Sequence, residues 1–189
     1  MTIAMTTKTA RTIENPLIKD KVTFLETAAE TKGKFTLVEV ELAPCGGNGL
    51  HYHKTFDETF TTVEGVLGIE LNGQIIYLQK GESATAPVGS LHRFFNPSDT
   101  EKVSFKVLLE PGKTGFETAL QVAYGLARDG RTNRKGIPKS LYHMALIIRW
   151  SDTNLPGVFH WMEPVMIWLA RRAERKGIDK ELVASYCRI

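Results

Sequence analysis

The sequence has few cysteines. Among its 189 residues only Cys45 and Cys187 are cysteine, and they form no Cys-X-X-Cys pair. This scarcity argues against a disulfide framework and against a zinc site built from thiolates. It is typical of proteins from a reducing compartment, so we expect a cytoplasmic location.

Long hydrophobic runs are also missing. No stretch reaches the roughly 18 consecutive apolar residues that a membrane span requires. Residues 1–14 are rich in threonine and lack the apolar core of a signal peptide. We therefore expect a flexible segment over residues 1–14 and no membrane partner.

The charge is mild overall but unevenly distributed. The formal net charge is +3, yet residues 1–112 contain 11 Lys or Arg and 14 Asp or Glu, whereas residues 113–189 contain 13 and 7. The basic residues do not form a recognisable nucleic-acid module, so we expect no nucleic-acid partner. The contrast indicates two regions with different surfaces.

Residues 15–112 have the pattern of short β-strands. The stretch FTLVEVELAP alternates between apolar and polar residues and places Val38, Val40 and Leu42 on one face. Asn72-Gly73 is a strong hairpin signal, because both turn positions need positive φ. Another strand is predicted at Val103–Leu109. Short strands at this spacing predict an antiparallel sandwich or barrel.

Residues 113–189 change to helical spacing. The first predicted helix ends at Gly130, and its apolar face carries Phe116, Leu120, Ala123 and Ala127. Three more helices are predicted from KSLYHMALIIRW, from WMEPVMIWLARRAERKG, and from DKELVASYCRI with Asp179 as its N-cap.

The third predicted helix allows two interpretations. Its aromatic residues lie beside a basic cluster, which is typical of a helix in a membrane interface. His160, Glu163 and Pro164 interrupt the apolar run, so we favour packing on the barrel or in a dimer interface. His143 and His160 reach a site in the barrel only if a helix folds over the barrel mouth.

Two histidines lie one residue apart in GLHYHKTFDETFTTVEG. In extended chain His51 and His53 point to one face, with Tyr52 on the other. Two neutral imidazoles on one face are half of a metal site. Glu58 adds an anionic oxygen if the chain bends after His53.

A second stretch, GESATAPVGSLHRFFN, supplies a third imidazole from His92. On a strand His92 shares its face with Phe94 and Asn96. We predict that Phe94 contacts a substrate and that Asn96 braces a turn. Three imidazoles and one carboxylate leave two positions open on an octahedral ion.

These two stretches resemble the two sequence motifs of the cupin superfamily. The first motif, G(X)5HXH(X)3,4E(X)6G, is matched at His51, His53, Glu58 and Gly65. The second, G(X)5PXG(X)2H(X)3N, is matched at Gly81, Pro87, Gly89, His92 and Asn96. Cys45 replaces the opening glycine of the first motif. Because Gly46 and Gly47 follow, we interpret this departure as a shifted loop.

The resemblance implies a mainly β fold, an antiparallel double-stranded β-helix or jelly-roll barrel, over residues 15–112. It leaves the α-helical extension, residues 113–189, unexplained. It implies metal ligands at His51, His53, Glu58 and His92 around one divalent transition metal ion, which the donor set allows to be Fe, Mn, Ni, Cu or Zn. It also implies a homodimer.

Three kinds of function remain open. The first is a metal-dependent dioxygenase or other oxidoreductase acting on a small organic molecule, with Glu58 as a candidate acid or base. The second is a binding module for a small ligand without catalysis, and the third is a cupin isomerase or epimerase. We favour the first, because two open positions would suit a ligand and O2 together.

Overall fold

A computed structural model describes residues 11–157 and 162–189 of the chain. The strands in these ranges are β1 (Thr12–Asn15), β2 (Asp20–Glu26), β3 (Thr36–Leu42), β4 (Asp57–Glu64), β5 (Leu67–Leu71), β6 (Gln74–Leu78), β7 (Ser83–Ala86), β8 (His92–Phe95) and β9 (Val103–Glu110). The helices in the same ranges are α1 (Thr114–Arg128), α2 (Leu141–Ser151), α3 (Glu163–Arg175) and α4 (Ile178–Tyr186).

The strands form two antiparallel sheets that share one core. The larger sheet has the order β1-β2-β3-β9-β4-β7 and the smaller has the order β6-β5-β8. Phe60 and Phe105 from the larger sheet are buried together with Leu67 and Ile69 from the smaller. The predicted antiparallel β fold with C-terminal helices is confirmed.

Two local predictions about the strands are also confirmed. Val38, Val40 and Leu42 all face the core from β3, as the alternation indicates. Asn72 and Gly73 have φ values of 50° and 81° in the turn between β5 and β6. These positive values are what a tight hairpin turn of this kind requires.

Helix α1 joins the sheets to the other helices. Phe116 and Leu120 pack against the core between the sheets, whereas Val122 and Leu126 belong to a second core shared with α2, α3 and α4. A helix with two apolar faces is covered on both sides. The extension therefore packs directly on the strands instead of standing apart from them.

A buried carboxylate reinforces this junction. Oε1 of Glu117, on α1, accepts hydrogen bonds from the backbone N–H of Ala28 at 2.6 Å and from Oγ1 of Thr36 at 2.6 Å. Both donors belong to buried residues in the β2–β3 region. The carboxylate thus satisfies polar groups that the packing of α1 removes from solvent.

Three sequence predictions need correction. Residues 12–14 are not part of a flexible segment, because β1 starts at Thr12 and pairs with β2; residues 1–10 lie outside the described residues. Gly177, with φ 74°, is the N-cap of α4, and Asp179 lies in the first turn. Glycine takes this conformation without a steric cost and allows the chain to reverse directly after α3.

The conformation of Cys45 also differs from the sequence-based interpretation. The loop is not shifted towards Gly46 or Gly47, because Cys45 itself has φ 58°. Gly46 and Gly47 have little free space, since an added Cβ would lie 2.6 Å from Leu42 and 2.8 Å from the carbonyl of Phe94, respectively. The residue at the motif position therefore adopts a left-handed conformation that glycine adopts more easily.

Within the described ranges, no helix has the length and apolar character needed to cross a bilayer. The interfacial-helix interpretation depends partly on Phe159, His160 and Trp161, which lie outside the described residues.

Candidate metal centre

Four side chains from separate parts of the chain meet between the two sheets. Glu58 lies on β4 and His92 on β8, while His51 and His53 lie in the connection from β3 to β4. Their ligand atoms are all within 4.8 Å of one another. All four residues are buried. The structure thus brings together the four residues that the sequence analysis named.

Backbone contacts fix the two histidine-bearing segments against each other. His51 and His92 exchange backbone hydrogen bonds of 3.0 and 2.8 Å as an isolated bridge. The N–H of Gly89 donates to the carbonyl of His53 at 2.7 Å. The first segment is therefore not the regular strand that the alternation of His51 and His53 predicts. Both imidazoles nevertheless reach the cluster, with ring centroids 4.9 Å apart.

Each imidazole has its Nδ1 atom against a backbone carbonyl oxygen. The contacts are His51 with Gly49 at 2.8 Å, His53 with Asp152 at 3.0 Å, and His92 with Ser90 at 2.8 Å. A carbonyl can only accept, so Nδ1 carries the proton in every ring. Each Nε2 atom then presents a lone pair, as a metal ligand must.

Glu58 lies beside two of these Nε2 atoms. Its Oε2 is 2.9 Å from Nε2 of His92 and 3.5 Å from Nε2 of His53. Burial opposes the ionisation of Glu58, but the imidazoles of His53 and His92 outweigh burial and lower the pKa of its carboxyl group. The cluster therefore holds an ionised carboxylate.

The protonation of the imidazoles differs within the cluster. Burial lowers the pKa of His51 to about 4, so this ring is neutral near pH 7. Burial would also lower the pKa of His92, but its hydrogen bond with Glu58 outweighs burial and raises it. A neutral His92 has one N–H for two acceptors, the Ser90 carbonyl and Glu58.

This arrangement fits a cation. Among the described residues, Nε2 of His53 is buried and makes no hydrogen bond, since Oε2 of Glu58 lies 3.5 Å away, a costly state for a polar atom unless it binds something. A cation between the rings and Glu58 would satisfy that atom and would remove the need for a proton between His92 and Glu58. Three nitrogens and one carboxylate oxygen suit Fe, Mn, Ni, Cu or Zn in the divalent state.

Aromatic rings surround the cluster. Phe56 stacks on His53 with centroids 4.2 Å apart, and Phe116 of α1 lies 6.4 Å from the same ring. Phe60 lies 6.0 Å from His92. Phe56 and Phe116 could not be assigned to the site from the sequence, because neither lies at a motif position. These rings make the surroundings of the four ligands largely apolar.

Phe94 shares the interior side with His92, as the alternation on β8 predicts. Its ring packs between Phe60, at 6.1 Å, and Phe105, at 5.1 Å. Contact of Phe94 with a substrate stays a prediction. Asn96 braces a turn as predicted, since its Nδ2 donates to the carbonyl of Glu101 at 2.8 Å and its Oδ1 accepts from the N–H of Ser98 at 3.0 Å.

Other polar residues that the sequence analysis considered lie elsewhere. His143 is in the first turn of α2 and does not belong to the cluster, and His160 lies outside the described residues. Cys45 is exposed in its loop. Arg93 pairs with Glu70, with Nε 2.6 Å from Oε2, on the outside of the smaller sheet.

The residues that follow α2 also contribute to the site, although no sequence motif marks them. Asp152 and Asn154 contact the segment that carries His53, although they are about 100 positions away in the chain. Their only signal in the sequence is their place after a predicted helix. No spacing rule connects them with the histidine motif.

A cavity of about 550 Å³ lies behind the same segment, on the side of Tyr52. Its lining is mainly apolar, with Met144, Ile148, Met166 and Ile167 from α2 and α3, and it includes Arg149 and Arg171. A cavity of this size and character is suited to a small organic molecule.

Comparison with known proteins agrees with the motif analysis. A family model described as Cupin domain matches residues 38–109. The probable oxidoreductase virH of Hypocrea virens is 37% identical over 67 residues, which are 34% of this chain and 31% of that protein. The matched part therefore spans less than a third of the relative.

Solved structures with a similar fold are more distant in sequence. An RmlC-like cupin from Shewanella frigidimarina NCIMB 400 is 18% identical, with a TM-score of 0.49, over 61% of this chain and 94% of the other. A predicted oxalate decarboxylase from Thermotoga maritima is 19% identical, with a TM-score of 0.47, over 49% of this chain and 81% of the other.

Proposed function

Through residues 38–109 the chain belongs to the cupin superfamily, and from this premise we propose that it is a metal-dependent oxidoreductase of the dioxygenase type. It would hold one divalent transition metal ion with His51, His53, Glu58 and His92, and it would act on a small organic molecule. The partial likeness to a probable oxidoreductase supports the reaction class.

One observation carries the proposal. Three imidazoles have Nδ1 held by backbone carbonyls, and the ligand atoms of the three rings and of an ionised carboxylate lie within 4.8 Å of one another. Without a cation, the lone pairs on Nε2 of His51 and His53 are buried beside an anion, and His92 and Glu58 need a proton between them. Such a cluster is costly to maintain unless a positive charge occupies it.

A bound ion would supply Lewis acidity, which polarises an oxygen-containing group of the substrate. The residues of the chain contribute the rest. Phe56, Phe60 and Phe116 limit the access of water, which strengthens electrostatic interactions around the ligands. Glu58 is the candidate acid or base of the reaction.

The proposal is tested by oxygen uptake. The purified protein is loaded with Fe(II) and offered enediols, flavonols and diketones in turn. We expect uptake with one of these classes and none after Glu58→Gln. Glu64→Gln is the matched control, because Glu64 lies on the same strand but is exposed. Absence of turnover with every divalent metal would overturn the oxidoreductase proposal.

A second candidate is a binding module without catalysis. The cavity behind Tyr52 favours it, because this cavity lies among the helices and not among the ligands of the metal cluster. Binding of a small molecule that Met166→Trp abolishes, in a protein that turns nothing over, would support this candidate. Removing the extension would not discriminate between the two, since α1 packs into the core of the sheets.

A homodimer and a cytoplasmic location remain predictions from the sequence. Light scattering coupled to size-exclusion chromatography would measure the mass in solution, and a homodimer predicts twice the chain mass of 21.1 kDa.

A further inference from the structure

The loop after α2 contacts the segment that carries His53. The backbone carbonyl of Asp152 accepts a hydrogen bond from Nδ1 of His53 at 3.0 Å. The carboxylate of the same residue accepts from the backbone N–H of Lys54 and from Oγ1 of Thr55, both at 2.8 Å. One residue of the extension therefore contacts three consecutive residues beside the metal cluster.

The conformation of Asp152 is itself held in place. Asp152 has φ 52° and ψ 29° where α2 ends, a left-handed conformation that aspartate tolerates better than most residues. Nδ2 of Asn154 donates to the carbonyl of Asp152 at 2.8 Å. Asn154 and Tyr52 also exchange backbone hydrogen bonds of 3.0 Å.

His53 differs from the other two histidines in the position of the carbonyl that accepts its Nδ1 hydrogen bond. Nδ1 of His51 and Nδ1 of His92 each donate to a carbonyl two residues earlier, in Gly49 and Ser90. The acceptor for His53 is 99 residues away in the chain. The orientation of this ring therefore depends on where the extension places residue 152.

We propose that Asp152 is a positioning residue for the metal centre. Its carbonyl fixes the tautomer and the orientation of His53, and its carboxylate holds the backbone of Lys54 and the side chain of Thr55 in register with that carbonyl. Outer contacts of this kind orient metal-bound histidines and tune their affinity for the ion. The inference rests on the proposed metal site, and it makes the helical extension part of that site.

The test is a titration of the full-length apoprotein with Co(II). It measures the affinity and the visible absorption spectrum of the bound ion, which depends on the coordination geometry. Asp152→Gly retains the left-handed conformation but removes the carboxylate. We expect its affinity to fall about 10- to 100-fold, with a changed spectrum. Asp152→Asn retains an acceptor oxygen and is expected to restore most of the affinity.

Asp129→Gly is the matched control. Asp129 is the residue after α1, and its carboxylate contacts Arg128 and Tyr186. This variant makes the same chemical change at another helix end, and we expect the affinity and the spectrum of the unchanged protein. If Asp152→Gly also gives wild-type affinity and spectrum, the inference is wrong and the metal site stands. If the unchanged protein binds no Co(II), the proposed function fails first.

If Asp152→Gly does not fold, a milder variant tests the positioning role of Asp152. Thr55→Val removes one donor to the carboxylate and leaves the conformation of residue 152 unchanged. We expect it to lower the affinity roughly 3-fold, the size of one hydrogen bond. Wild-type affinity in a folded Thr55→Val variant would then overturn the inference.

Discussion

The sheets and the helical extension contribute to the candidate metal centre in different ways. The sheets and their connections supply the four ligands, and two imidazoles are fixed by carbonyls two residues away. The described residues of the extension supply no ligand, but Asp152 accepts a hydrogen bond from His53, which lies 99 positions earlier in the chain. The carbonyls that accept from Nδ1 of His51 and His92 lie in the same segments as these histidines. The carbonyl that accepts from His53 is in place only when the extension packs against the sheets.

The largest effect is expected from a change of a ligand. His53→Ala removes the imidazole whose Nε2 has no other partner, and we expect metal affinity to fall by more than the roughly 100-fold that outer contacts cost. Titration with Co(II) or Zn(II) measures this loss. His143→Ala is the control, since His143 is also buried but lies outside the cluster. Equal affinity in the two variants would show that the ligand set is wrong.

Glu117→Ala tests whether the two regions depend on each other for stability. The variant leaves the buried N–H of Ala28 and the hydroxyl of Thr36 without an acceptor. Two unsatisfied buried donors cost about 4 kcal/mol together. Urea unfolding should show this loss, and Glu181→Ala, an exposed change on α4, should show almost none. A loss of similar size in both variants would argue against a special role for Glu117.

Asp20 and Tyr124 give the same junction a pH dependence. Tyr124 of α1 donates a hydrogen bond to Asp20 of β2. Burial raises the pKa of Asp20 from 3.8 to about 6. The folded protein therefore binds this proton more tightly than the unfolded chain. The resulting stability is complete below about pH 3.8 and is lost as the pH rises through about 6.

Asp20→Asn should remove this dependence. Relative to the variant, the wild-type free energy of unfolding is expected to fall by about 2 kcal/mol between pH 4 and pH 7. Urea unfolding at several pH values measures the difference. Asp99→Asn, an exposed change in a turn, should follow the wild type throughout. Parallel curves for wild type and Asp20→Asn would contradict the assigned shift.

The smallest effect is expected from breaking the exposed ion pair between Lys54 and Glu163, which joins the histidine segment to the extension. Nζ of Lys54 lies 2.7 Å from Oε1 of Glu163, but both side chains are substantially exposed. Exposed ion pairs contribute about 0–1 kcal/mol. Lys54→Met should therefore change neither the stability nor the metal affinity appreciably. A large loss of metal affinity in Lys54→Met would indicate that this ion pair, and not Asp152, positions His53.

The four residues of the candidate metal centre could be predicted from the sequence because their spacing is local. His51, His53 and Glu58 lie within eight positions of one another, and His92 follows a turn with its own glycine and proline signals. The strand alternation of Val38, Val40 and Leu42 was predictable for the same reason. Each of these predictions needs only the period of one element.

The anchoring of His53 could not be predicted in this way. Asp152 and Asn154 act through a contact between the extension and the His53 segment. The hydrophobic periodicity of a single element does not predict which loop that element contacts. The position of Phe56 and Phe116 at the cluster was not predicted for the same reason, because both reach it through tertiary packing. The replacement of the motif glycine by Cys45 was misinterpreted, since a sequence does not show that a cysteine adopts positive φ.

The metal content of the chain tests the central claim most directly. The purified protein is incubated with an excess of Fe(II), Mn(II), Ni(II), Cu(II) or Zn(II), desalted, and measured by elemental analysis beside His53→Ala. We expect one ion per chain for at least one metal and none in the variant. A wild-type protein that retains no ion, or a variant that retains as much, would contradict it.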